Sequence, residues 1–239
     1  SRALCKNTTA SYNVAAGESA LRYNITGHSN VAIGQAALTT NIAHYNVAVG
    51  RCALYANTTG THNTAVGYNT LKANTTGIIN TASGYTALYS NTTGCRNTGS
   101  GSYALNNNTT SSYSKAVGTY SLYANSTGDN TAIGYASMYQ NTTGVKNTAS
   151  GMYALTSNTT AGYNTASGYG ALKANTTGDR NTAMGCGTLK ANTTGCHNAA
   201  FGRDALQSST TASFNTAHGE QALGNTTTGT WNHATGYAA

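Results

Sequence analysis

One residue type recurs along this chain with near-crystalline regularity. Leucine stands at Leu4, Leu21, Leu38, Leu54, Leu71, Leu88, Leu105, Leu122, Leu155, Leu172, Leu189, Leu206 and Leu223, with Met138 filling the one gap. The step is 17 residues, with two steps of 16. Glycine precedes these positions by four residues, from Gly17 to Gly219, and Gly236 continues the series. The consensus unit is NTAxGYxALxxNTTGxx. Self-similarity at this scale marks a solenoid, in which a single unit cannot bury its own apolar face but stacked neighbours can.

The unit is too short for a pair of helices, and a glycine in every unit among Thr, Asn and Tyr favours turn and strand over helix. The fold expected is all-β: a parallel β-solenoid, or β-roll, of about fourteen 17-residue coils. Residues 1–239 read as a single repeat array without atypical capping units, hence as an excerpt of a longer solenoid or of a filament whose copies stack end to end. In such a fold each sequence position becomes a column running from coil to coil.

With the Asn of NTA numbered 1, position 3 is alanine in almost every coil (Ala15, Ala32, Ala48, Ala65, Ala82) and position 9 is the leucine column. Small and medium side chains in fixed columns predict a thin core, here expected between two close sheets. Position 6 varies among Glu18, Gln35, Arg51, Tyr68, Ser102, Cys186 and Arg203, which reads as solvent. The two short coils lose a residue near the NTTG end, around His44 and Tyr45 and around Gly128 and Asp129, where a loop can absorb a deletion.

The strings NVAIGQAAL (30–38), NVAVGRCAL (46–54) and NTAIGYASM (130–138) resemble the head repeats of trimeric autotransporter adhesins. The longer NTAxGYxALxxNTTG form is similar to repeats of phage tail fibres and other extracellular fibres. The resemblance implies a parallel β-roll assembled as a homotrimer, on a cell surface or virion, that presents binding surface. It implies no ligand and no particular binding residue.

Position 12 is asparagine in nearly every coil, and most copies complete the N-glycosylation acceptor pattern: Asn7, Asn24, Asn57, Asn74, Asn91, Asn108, Asn125, Asn141, Asn158, Asn175 and Asn192. Asn107 and Asn225 satisfy it out of phase. Two readings stand: a rod lined with glycans, or stacked amides hydrogen-bonded from coil to coil. Asn41 persists although Ala43 abolishes the acceptor pattern, and position 1 is nearly always Asn with no pattern at all. These observations favour the ladder.

Tyrosine forms partial columns at position 6 (Tyr68, Tyr85, Tyr135, Tyr169) and position 10 (Tyr55, Tyr89, Tyr123, Tyr139), candidate contacts for a cell-surface glycan or a second protomer. Regular threonines raise an ice-binding alternative, against which stands the fact that the adjacent Thr pair of NTTG falls on opposite faces of an extended strand. Formal net charge is +7, but Lys and Arg total only 12 and are scattered, a weak positive field rather than a nucleic-acid groove.

Only five carboxylates exist, Glu18, Asp129, Asp179, Asp204 and Glu220. Glu220 is expected to pair with Arg203 one coil before it. No triad, metal-ligand spacing or cofactor motif is present, so neither catalysis nor a cofactor is expected. The five cysteines share no column on neighbouring coils, and Cys186 with Cys196 is the only sequence-near pair. No stretch approaches the roughly 18 apolar residues of a membrane span. The reading is a structural extracellular, cell-surface or virion fibre that self-associates as a homotrimer or filament and serves in attachment, with a glycan-coated filament as the alternative.

Overall fold

The computed structural model describes residues 2–239, and its contacts divide them into two compact units, one ending at Thr119 and the other running from Tyr120 to Ala239. The fold of each is a parallel β-solenoid, and among the described residues there is no helix. The first unit carries strands β1 to β7 at Val14–Ala16, Val31–Ile33, Val47–Val49, Thr64–Val66, Thr81–Ser83, Thr98–Ser100 and Lys115–Val117. The second carries β8 to β14 at Thr131–Ile133, Thr148–Ser150, Thr165–Ser167, Thr182–Met184, Ala199–Phe201, Thr216–His218 and His233–Thr235.

Within each unit successive strands pair in parallel and in register, so that Ala65 lies beside Ala82 and Ala166 beside Ala183. Each strand covers only positions 2 to 4, with position 3 turned inward and positions 2 and 4 outward. The expectation of two facing sheets is corrected here. There is one strand per coil, and the opposite wall is built from turns that hydrogen-bond coil to coil: Leu71 N–H to the Ala87 carbonyl (3.1 Å), Ala73 N–H to Tyr89 (3.0 Å) and Thr75 N–H to Thr92 (2.9 Å). The alanines of positions 3 and 8 and the leucines of position 9 fill the narrow space between. A wall of turns satisfies its backbone groups across coils as a strand does, so a second sheet is unnecessary.

Two features bend the chain around this core. The glycine after each strand has φ between 124° and 137°, a region closed to side chains, and a Cβ on Gly84 would stand 2.7 Å from the Gly101 carbonyl carbon. The leucine column is also left-handed, φ 48° to 52°, with every Leu from Leu21 to Leu206 fully buried. A left-handed non-glycine residue costs about 1–2 kcal/mol, and full burial of a leucine contributes about 1.5–3 kcal/mol, so burial offsets the strain in this column.

Both short coils lose their residue just after the position 12 asparagine. Asn41 Nδ2 donates to the Ala43 carbonyl two residues on (2.9 Å), and Asn125 Nδ2 to Thr127 (2.5 Å), where Asn57 reaches three residues to Gly60 (2.9 Å). Tyr45 and Asp129 keep the left-handed conformation of the last position of their coils, so the deletion lies slightly upstream of its expected place.

Candidate functional site

The asparagines form two buried ladders. In the position 12 column of the first unit, from Asn41 onward, Nδ2 donates to the Oδ1 of the preceding coil: Asn57 to Asn41 (2.7 Å), Asn74 to Asn57 (2.7 Å), Asn91 to Asn74 (2.8 Å) and Asn108 to Asn91 (2.9 Å). The second unit repeats this from Asn141 to Asn125 (3.0 Å) through Asn158 (2.7 Å) and Asn175 (3.0 Å) to Asn192 (2.8 Å). In the position 1 column Oδ1 accepts the backbone N–H of the same position one coil on, as Asn46 Oδ1 does from Asn63 (3.0 Å) and Asn97 Oδ1 from Ser114 (2.9 Å). The two ladders meet on one carbonyl: Gly60 O accepts from both Asn57 (2.9 Å) and Asn46 (2.8 Å).

Of the acceptor-pattern asparagines, Asn24, Asn57, Asn74, Asn91, Asn108, Asn125, Asn141, Asn158, Asn175 and Asn192 are fully enclosed, and Asn7 is half-buried. A glycan on any of the enclosed amides would have to displace the neighbouring coil. Asn107 and Asn225, the two out of phase, are exposed. The ladder is interrupted at Asn24, whose Oδ1 is buried without a partner, and where Ser209 stands in the column, leaving both Asn192 Oδ1 and Ser209 Oγ buried without one.

The tyrosines of positions 6 and 10 share one turn wall with a third column that the sequence reading overlooked, position 7, where Tyr103, Tyr120 and Tyr153 stand. In the first unit Tyr68 and Tyr85 stack (5.3 Å, 7° between planes), Tyr85 meets Tyr103 edge to face (5.3 Å), and Lys72 Nζ lies 5.5 Å from the Tyr89 ring centre. Tyr55 is exposed on the same wall. Position 6, read as solvent, is a surface ladder: Gln35 donates to Glu18 (3.2 Å), and Arg51 donates to Gln35 (3.0 Å) and to the Tyr68 hydroxyl (3.1 Å). In the second unit Tyr123 stacks on Tyr139 (5.1 Å), while Tyr135, Tyr153 and Tyr169 meet at near right angles (5.5 and 6.2 Å), with Lys173 Nζ 5.3 Å from the Tyr153 ring centre.

A second aromatic column escaped the sequence reading altogether. Position 17 is left-handed in every coil, φ 56° to 63°, and carries Tyr45, His62, Tyr113, Tyr163, Phe214 and Trp231 among others. Here the rings stack face on face, Tyr45 on His62 at 4.9 Å and Phe214 on Trp231 at 4.3 Å. The available signal was the residue before each position 1 asparagine, which is aromatic or cationic in most coils.

Beside that column, the position 16 side chain accepts the backbone N–H of the coil before it. Cys95 N–H donates to Ser112 Oγ (2.9 Å), Cys196 N–H to Ser213 Oγ (2.9 Å), Gly162 N–H to Asp179 Oδ1 (2.6 Å) and His28 N–H to His44 Nδ1 (3.0 Å). The His28 and His44 rings stack at 4.0 Å, and burial together with the His28 charge holds the His44 pKa below the ordinary imidazole value. Arg203 pairs with Glu220 as expected and lies 4.0 Å from Asp204, so one guanidinium serves both carboxylates.

All five cysteines are free thiols, Cys186 and Cys196 included. Among the described residues no three His, Cys, Asp or Glu side chains gather as a metal site would require, and no helix is long and apolar enough to cross a membrane. No protein-family model, curated protein or solved structure matches this chain.

The outward face of the strands completes the inventory. Its two columns, positions 2 and 4, expose Val14, Ile33 (43%), Val66 (41%) and Val117 in the first unit, and Ile133 (48%) and Met184 in the second. Thr64, Thr81 and Thr98 lie in register in position 2, as do Thr131, Thr148, Thr165 and Thr182. Lys115 is the one lysine, arginine or carboxylate in either column.

Proposed function

We propose that this chain is a structural fibre segment that self-associates through its strand face and leaves its tyrosine wall free for attachment to a surface. The observation that carries the reading is the chemistry of that strand face. Position 3 already supplies the inward alanine, so nothing in the coil's own core requires Val, Ile or Met at positions 2 and 4. Aliphatic side chains set among threonines and serines in two outward columns, with Lys115 the one lysine, arginine or carboxylate, suit a partner presenting the same columns, and a second copy of this chain does so. The resemblance to adhesin heads and tail-fibre repeats points the same way, toward a homotrimer on a cell surface or virion.

Sedimentation equilibrium tests the proposal. The expected mass is an integral multiple of 24.4 kDa, collapsing to a monomer in the double variant Ile33→Lys and Val66→Lys while the circular dichroism is unchanged. A monomeric wild type at every concentration would refute it.

One observation favours a second reading. The in-register threonines of position 2 lie on a single outward face, unlike the NTTG pair, and they run about 4.8 Å apart from strand to strand. Such an array of hydroxyls and methyls is what an ice-binding surface requires. The same face cannot serve both purposes at once, so thermal hysteresis in a monomeric sample would replace the fibre reading.

A further inference from the structure

The two aromatic columns differ in a way that bears on recognition. In position 17 the rings that adjoin lie face on face, Phe214 against Trp231 with 3° between planes and His197 against Phe214 with 11°, and isolated Tyr163 lies between Lys146 and Arg180. On the turn wall of the second unit the planes of Tyr135 and Tyr153 meet at 89°, and those of Tyr153 and Tyr169 at 81°. Perpendicular neighbours cover one another's edges or only one face. Tyr135 and Tyr169 are 44% and 49% exposed, two coils or about 9–10 Å apart along the stack.

The charge around these rings has one sign. Lys173 sits over Tyr153, Lys190 follows in the next coil of the same column, and no carboxylate occupies positions 6, 7 or 10 from Tyr120 to Lys190. Asp129 and Asp179 stand in columns 17 and 16, and Asp204 and Glu220 are engaged by Arg203. Ring faces suit the C–H faces of pyranose sugars, phenol hydroxyls suit their rims, and ammonium groups suit acidic substituents.

We infer that the tyrosine wall of the second unit, centred on Tyr135, Tyr153 and Tyr169 with Lys173 and Lys190, binds an acidic polysaccharide lying along the coil stack. The inference deepens the attachment half of the proposed function and rests on it only in purpose, since the wall is built from positions 6, 7 and 10 and the strand face from positions 2 and 4. A polymer aligned with the stack meets repeated contacts in step with the coils, so weak single contacts add along its length.

The test is affinity electrophoresis of the full chain in gels containing polygalacturonate, dextran or dextran sulfate at about 0.15 M salt. Retardation by polygalacturonate and not by dextran is expected. Tyr135→Ala with Tyr169→Ala should weaken it about tenfold or more, as should Lys173→Gln with Lys190→Gln. Tyr163→Ala, on column 17, should leave it unchanged, and circular dichroism melts should show all variants folded. Failure of polygalacturonate to retard the wild type would overturn the inference. So would retention by dextran sulfate and polygalacturonate alike that the tyrosine pair does not affect, which would mean charge alone. Sedimentation of the same samples keeps the two ideas apart: assembly without retardation leaves the fibre reading intact, and retardation without assembly leaves this one.

Discussion

Replacing Asn74 by alanine removes three hydrogen bonds at once: Asn74 Nδ2 to Asn57 Oδ1 (2.7 Å), Asn74 Nδ2 to the Gly77 carbonyl (3.1 Å), and Asn91 Nδ2 to Asn74 Oδ1 (2.8 Å). The Gly77 carbonyl keeps Asn63 Nδ2 (2.8 Å), and Asn91 keeps the Gly94 carbonyl (3.0 Å), so neither is orphaned. Asn57 Oδ1 loses its side-chain donor inside a fully buried site. At about 1 kcal/mol net for each of the two bonds whose partners are not orphaned and about 1–3 kcal/mol for stranding Asn57 Oδ1, the expected loss is about 3–5 kcal/mol. Thr76→Ala destroys the same acceptor pattern from an exposed position and should change stability by less than about 0.5 kcal/mol. Native-state hydrogen exchange of the chain, made in a host without N-glycosylation, reads both, because it resolves local opening that a repeat array blurs in a global melt. Equal effects of the two substitutions, or a negligible effect of Asn74→Ala, would refute the ladder as a source of stability.

Further substitutions probe other columns. Ser209→Asn should complete the broken ladder by offering Nδ2 to Asn192 Oδ1, raising stability by about 1 kcal/mol in urea melts; a decrease would mean the site lacks room for the amide. Leu88→Asp should abolish folding of its coils, by burying a carboxylate in place of a fully enclosed side chain, whereas Tyr85→Ser should be tolerated; equal tolerance would contradict the inward and outward assignment. Because the His44 pKa is depressed in the folded state, its contribution is present above the unfolded value near 6.5 and is lost as pH falls through the folded value. Exchange protection of the His28 amide should therefore decrease in mild acid, and His44→Ser, which restores the Ser112-type acceptor, should flatten that dependence; an unchanged profile would exclude His44 as its cause.

Much of this architecture is legible in the sequence because a solenoid turns columns of letters into columns of atoms. The alanine and leucine columns, the glycine after each strand and the Arg203–Glu220 pair follow from the spacing alone. So does the preference for stacked amides, because Asn41 keeps its residue type where the acceptor pattern is lost. The second sheet was expected wrongly because alternation of small and medium residues identifies an inward position without saying whether strand or turn delivers it. The left-handed leucines were invisible for a related reason. Single-residue preference assigns that conformation to Gly or Asn, whereas here burial and inter-coil hydrogen bonds outweigh the strain at each of them. The position 17 column is hidden in the sequence because its rings are of several kinds and alternate with Ile79, Arg96, Lys146 and Arg180.

The most direct test of the coil-on-coil amide ladder is solvent exchange of the asparagine side-chain amides, followed by nuclear magnetic resonance. The structure predicts slow exchange for the Nδ2 protons of Asn57, Asn74, Asn91, Asn158 and Asn175, and fast exchange for exposed Asn107 and Asn225 in the same sample. Exchange of the column asparagines as fast as that of Asn107 and Asn225 would contradict it.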